Sequence, residues 1–172
     1  MDHVYMEEMV KHEATGKDLL MRIGLIAAYL VLNIVILTLI NLLFPIVLAI
    51  SSWGLYIFWR RISKEYEYIY TDGNLDVDCV FHRSTRKHMT SIDIREFSLI
   101  APADEHQYQG MYEKKYDKFL DAGRGGIREN TYVGICTREG QTLKMYFEPS
   151  EEMLNAMKKY SPRNVVLKSD RR

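Results

Sequence analysis

From Ile23 to Trp59 the chain runs for 37 residues without an Asp, Glu, Lys or Arg. A stretch like that suits hydrocarbon, where every charge is costly. One straight helix over those 37 residues would reach about 55 Å at 1.5 Å per residue. A bilayer core is only about 30 Å thick and needs about 20 helical residues. Two helices therefore fit better than one. The natural break is Asn41-Leu42-Leu43-Phe44-Pro45, because proline is tolerated in the first turn of a helix. We read a transmembrane helical hairpin over 19–62, with helices at about 19–41 and 45–62.

All formal charges lie outside that run, and they balance: Lys plus Arg number 23 and Asp plus Glu number 23 in 172 residues. This balance excludes a basic nucleic-acid binder, an acidic tail protein and a disordered chain. Lys11, Lys17 and Arg22 precede the first helix, and Arg60, Arg61 and Lys64 follow the second. The turn carries none, so both termini are expected on the cytoplasmic side of a cell membrane crossed more than once. Trp53, Tyr56 and Trp59, with Arg60 and Arg61, are expected to anchor the inner interface. A cleaved signal peptide is not expected, because the apolar run is too long and lacks a small-residue cleavage site.

Inside the hairpin, Asn33 comes level with about residue 53 of the partner helix. It is expected to hydrogen-bond Ser51 or Ser52 across the pair. Gly24 and Ala28 form a small-xxx-small pair suited to helix packing. The segment 1–18 reads as a separate cytoplasmic lead-in. Its Val4, Tyr5, Met9 and Val10 also suit a short amphipathic helix on the membrane surface.

After Lys64 the period changes from helix to strand. Tyr66, Tyr68 and Tyr70 alternate with Glu67 and Ile69. Thr71-Asp72-Gly73-Asn74 signals a hairpin turn. Leu75, Val77, Cys79 and Phe81 then share one face, with Asp76, Asp78 and His82 on the other. His82 to Arg86 reads as a turn, 87–94 as a third strand with Ile92 and Ile94 inward, and 97–101 as a fourth ended by Pro102. Residues 103–130 leave two readings open. Tyr108, Tyr112, Tyr116 and Phe119 suit a helix, and 115–120 suits a short strand. Ala122 to Asn130 is a Gly-rich loop. A hairpin follows, with Val133, Ile135 and Thr137 before Glu139-Gly140 and Leu143, Met145 and Phe147 after it. Ser150 and Pro149 open a helix whose first turn holds Glu151 and Glu152 and whose last turn holds Lys158 and Lys159. Met153, Leu154, Met157 and Tyr160 form its apolar face, Ser161-Pro162 stops it, and Val165 to Leu167 suits a short strand.

This order resembles a pleckstrin-homology-like (PH-like) antiparallel barrel or roll closed by a C-terminal helix. The segments Tyr66 to Asp78, Leu99-Ile100-Ala101-Pro102, and Tyr146 through Glu151 to Arg163 carry the likeness, together with Met9-Val10-Lys11. They resemble a family of uncharacterised small bacterial membrane proteins with two transmembrane helices and a bacterial PH-like domain. The resemblance implies an α+β membrane protein whose PH-like domain occupies 65–172. It implies no site.

Chemistry must then be sought residue by residue. Cys79 and Cys136 sit on strands of a cytoplasmic domain, so buried thiols are expected rather than a disulfide. No Cys-x-x-Cys pair supports zinc. His82 and His88 flank a turn near Asp78 and Asp93, and His106 lies apart; no spacing is that of a metal site. Asp76 and Asp78 read as a solvated face. Nucleophile elbows, phosphate loops and zinc-protease motifs are missing, so neither an enzyme nor a cofactor is expected. Arg124-Gly125-Gly126-Ile127-Arg128 offers backbone N–H groups and two cations to a phosphate, although Asp121 and Glu129 adjoin it and a plain flexible loop is the competing reading. Arg83, Arg86 and Lys87 form a second basic cluster, placed where PH-like domains can contact lipid headgroups.

Three functions result. The first is a non-enzymatic, membrane-tethered interaction or scaffold module, in which an edge strand or the groove beside the C-terminal helix takes a protein partner or another copy. The second is a sensor of anionic lipid headgroups through Arg83, Arg86, Lys87, Arg124 and Arg128. The third is an accessory subunit of a membrane transport or secretion complex, with Asn33, Gly24 and Ala28 as helix contacts.

Overall fold

The computed structural model describes residues 4–13, 16–39, 41–62, 64–81, 85–138 and 140–170, and only the backbone at 17, 41 and 60–62. The chain divides into two compact units, residues 14–64 and residues 1–13 with 65–172.

The smaller unit is a helical pair. Helix α1 (Gly16–Leu39) leads through a 3-10 turn, Asn41–Leu43, into α2 (Phe44–Ile62). Pro45 is the second residue of α2, where its missing N–H costs nothing. Leu25, Tyr29, Asn33 and Ile36 recur every three to four residues and form the inner stripe of α1. Leu30, Val31, Ile34, Ile46 and Ile50 are exposed. By length and composition α1 can cross a membrane over Asp18–Leu39, while the apolar stretch Phe44–Trp59 is shorter.

The larger unit holds two four-stranded sheets. The first comprises β1 (Tyr5–Lys11), β2 (Lys64–Thr71), β3 (Asn74–Phe81) and β4 (Thr85–Asp93), in that order. The strands β5 (Phe97–Pro102), β6 (Lys118–Asp121), β7 (Tyr132–Arg138) and β8 (Gln141–Phe147) make the second, in the order β5-β7-β8-β6. A one-turn helix α3 (Gln109–Tyr112) precedes β6, and α4 (Glu151–Tyr160) follows β8.

Two expectations need correction. Residues before the hairpin are neither a separate lead-in nor a surface helix. β1 pairs antiparallel with β2 along its whole length, from Tyr5 opposite Thr71 to Lys11 opposite Glu65. The domain therefore starts before the helical pair and resumes after it. The sheets also do not close into a barrel: they are separate, and β6 lies parallel to β8. The uncertain stretch contains both a helical turn and a strand, each shorter than the sequence pattern suggests.

Side-chain alternation builds the core. Tyr66, Tyr68 and Tyr70 face inward from β2, with Leu75, Val77 and Cys79 from β3. They meet Ile100, Met145 and Phe147 of the second sheet and Met153, Leu154 and Met157 of α4. The Tyr68 hydroxyl donates to the Ala122 carbonyl at 2.6 Å and accepts from the Glu148 N–H at 3.3 Å, so a buried polar group ties the two sheets together. The β2–β3 turn has Asp72 at φ 47° and Gly73 at φ 95°, the left-handed pair of a type I′ hairpin. A Cβ on Gly73 would lie 2.1 Å from the Tyr160 ring. Ser150 caps α4 by accepting from the Met153 N–H at 3.2 Å. The Glu8 carboxylate of β1 in turn accepts from the Ser150 N–H at 2.8 Å and from its hydroxyl. The tail pairs with β5, Ile100 N–H to Asn164 O at 2.7 Å and Val166 N–H to Ile100 O at 2.8 Å, covering that edge.

Candidate functional site

The outward face of the first sheet carries its charged groups. Glu67 points away from the tyrosines of β2 yet is 0 % exposed. Arg86 of β4 lies over it, with Nη2 2.8 Å from Oε2 and donating to Oε1 at 2.9 Å. Glu7 of β1 hydrogen-bonds Glu67 from the other side. Burial, first of all, pushes the Glu67 carboxyl up, and the contact with Glu7 adds to it. The Tyr5 hydroxyl, donating at 2.7 Å, holds Glu7 down, as does Glu67. Of the pair, Glu67 therefore holds a proton more readily than Glu7. Asp78 is only 9 % exposed and bonds His88 Nδ1 at 2.8 Å, so it is not on a freely solvated face. These groups take one another as partners, which pins β1 to β4 and leaves little for a substrate.

The expected headgroup cations are mostly engaged. Arg86 and Lys87 belong to β4 rather than to the turn. Arg86 is held by Glu67, Arg124 lies 3.3 Å from Glu148, and Arg128 lies 2.7 Å from Glu13. Glu13 also donates its N–H to Arg124 O at 2.8 Å, and His12 Nδ1 bonds Gly123 O at 2.9 Å. The Gly-rich loop therefore fastens the end of β1, and its two arginines do not converge on a vacant centre. Lys87 is exposed. Arg83, like His82, lies outside the described residues.

A different feature lies where the two sheets fail to join. A groove of about 420 Å³ runs between β4 and β6. Ile92, Leu120, Cys136 and Leu143 form its floor, and Met89 and Phe119 flank it. Burial pushes the Cys136 thiol up to about 11, so it stays protonated. Cys79 is likewise buried. Cys136 therefore lacks the depressed pKa of a nucleophile. Among the described residues no group of three or more His, Cys, Asp or Glu is placed to hold a metal.

In the helical unit, Asn33 is 8 % exposed and its amide donates to Ser51 Oγ at 3.2 Å and to Tyr29 O at 2.8 Å. Ser52 bonds the Tyr29 hydroxyl at 3.0 Å instead of Asn33. Gly24 and Ala28 are on the exposed side of α1, and nothing lies within 4 Å of a Cβ built on Gly24. They are not hairpin contacts. Trp53, Tyr56 and Trp59 are exposed, and the Arg22 guanidinium lies 5.4 Å over the Trp59 ring. The side chains of Arg60 and Arg61 fall outside the description.

Sequence reasoning missed the Glu7–Glu67 pair and the seam. An acid between inward tyrosines carries no sign that a distant strand will bury it. The seam is formed by strands far apart in the chain.

A family model described as Bacterial PH-like domain (DUF6106) matches residues 2–167. No curated protein and no solved structure match.

Proposed function

The chain belongs to the bacterial PH-like domain family, and on that premise we propose that it is a non-enzymatic, membrane-tethered interaction module. The β1–β2 ladder carries the reading. Those strands pair over their whole length, yet the chain between them passes through the apolar helical unit. Hydrogen-bonded neighbours cannot sit on opposite sides of a bilayer. A hairpin that enters the membrane must therefore return to the side it left, which requires two crossings.

The helix lengths are compatible with this. At 1.5 Å per residue the Phe44–Trp59 stretch reaches about 24 Å, and local thinning accommodates a short span. Trp53, Tyr56, Trp59, Arg60 and Arg61 then serve as the interfacial anchors of its inner end. Tethering at both Lys11 and Lys64 holds the domain at the membrane surface. Arg86, Arg124 and Arg128 already have carboxylate partners, which favours protein interaction over headgroup sensing.

Different epitope tags at the two termini, probed with protease in sealed inverted vesicles, test the topology. Both tags should be cut together, and the protein should resist alkaline carbonate extraction. Tags on opposite faces, or release by carbonate, overturn the tether. Cross-linking in native membranes that returned only monomers with no neighbours would overturn the interaction role.

A further inference from the structure

We propose that the seam between β4 and β6 takes an acidic, extended peptide of a partner protein, which adds as a strand to the edge of β4. The proposal rests on the interaction-module reading and names the chemistry of the partner. β4 ends the first sheet and β6 ends the second, so an edge strand of each sheet borders one opening. Such edges are templates for another strand. The tail covers β5, but a long exposed strand is left at β4, whose burial begins only near Thr90. Arg138 Nη1 donates to Ser91 O at 2.5 Å, so that carbonyl faces the seam and not β3.

Side chains supply the second argument. Met89 is 39 % exposed and Phe119 59 %, and both flank the same groove. An alternating peptide can place apolar residues over Ile92, Leu120 and Leu143 while its other face stays in water. Charge then selects the occupant. Among the described residues the lining holds Lys118 and Arg138 and no carboxylate. Lys87, opposite Cys79, continues the inner face of β4 toward the turn. Among the described residues none of the ion pairs uses Lys87, Lys118 or Arg138. In a chain of zero net charge this is a local excess that fits Glu- or Asp-rich sequence. A second copy seated edge to edge would set these cations against their own counterparts, which disfavours self-pairing.

The test uses the full-length protein in phosphatidylcholine nanodiscs. The probe is a fluorescent decapeptide alternating Glu with Val around one Phe. Its controls are the same peptide with Lys for Glu, and with N-methyl groups on alternate residues. The Glu peptide should bind, the Lys peptide should be weaker by about tenfold or more, and N-methylation should remove binding. The triple variant K87E/K118E/R138E, with an unchanged melting curve, should prefer the Lys peptide. Equal affinity for all three peptides, or no binding at about 1 mM, overturns the proposal. It also falls if the triple variant changes only adsorption of anionic lipid, or only self-association. Tags and carbonate resistance that behave as above while the peptide fails remove the seam alone. Peptide binding with failed topology removes the tether alone.

Discussion

The helical pair and the sheet domain treat the same side chains in opposite ways. In α1, Leu30, Val31 and Ile34 face outward while Asn33 is buried against Ser51. In the domain, Leu75, Ile92 and Phe147 are buried while Lys87 and Arg95 are exposed to solvent. On the proposed topology each pattern minimises cost in its own solvent. Water expels apolar surface, and hydrocarbon expels unpaired polar groups. Tertiary stability should then come from apolar burial in the domain and from close packing with a few hydrogen bonds in the hairpin.

The largest break in that contrast is Phe147→Ala. Phe147 is fully buried, and its ring centroid lies 6.1 Å from that of Tyr68 in an edge-to-face arrangement. Its loss should cost the domain about 3–5 kcal/mol, read as a lower denaturant midpoint for the solubilised protein. Carbonate resistance should be unchanged; loss of both together would show that the two units are not energetically separate.

Glu67→Gln should have a smaller, pH-dependent effect. Burial raises the Glu67 pKa above 4.5, so its contribution is fully present below that value and declines as pH rises through the folded value. Glu7 has the opposite shift, and what it contributes is lost only as pH falls below about 4.5. As pH rises above about 4.5 the wild-type melting midpoint should fall more steeply than that of the Gln variant. Parallel curves would remove the proton from Glu67.

The smallest effect belongs to Asn33→Leu. Interhelical hydrogen bonds in lipid average about 0.6 kcal/mol, so the hairpin should insert normally and lose only a little resistance to denaturing detergent. Failed insertion would make Asn33 far more than a packing contact.

What was legible in the sequence was local. The uncharged run, the Asp72-Gly73 turn, the alternation around Val133 and Met145, and the Ser150 start of α4 all signal within a few residues of themselves. β1 failed that test. Tyr5, Met9 and Val10 have helical spacing, its partner strand lies beyond the hairpin, and only Val10 is fully buried. The site residues failed for the same reason. Arg128 looks available until Glu13 is seen beside it, 115 positions away. The parallel pairing of β6 with β8 likewise leaves no mark near Phe119.

The split of the first sheet also orders the events of biosynthesis. On the proposed topology β1 leaves the ribosome before either helix and waits without a neighbour until Tyr66 to Thr71 follow. If α2 failed to return across the bilayer, β1 would be marooned in the wrong compartment. Glu8 could not reach Ser150, Val10 would have no core to join, and β2 would be left as a bare edge. On that topology closure of the sheet would act as a checkpoint on insertion, because only a chain that has threaded the membrane correctly could complete its fold.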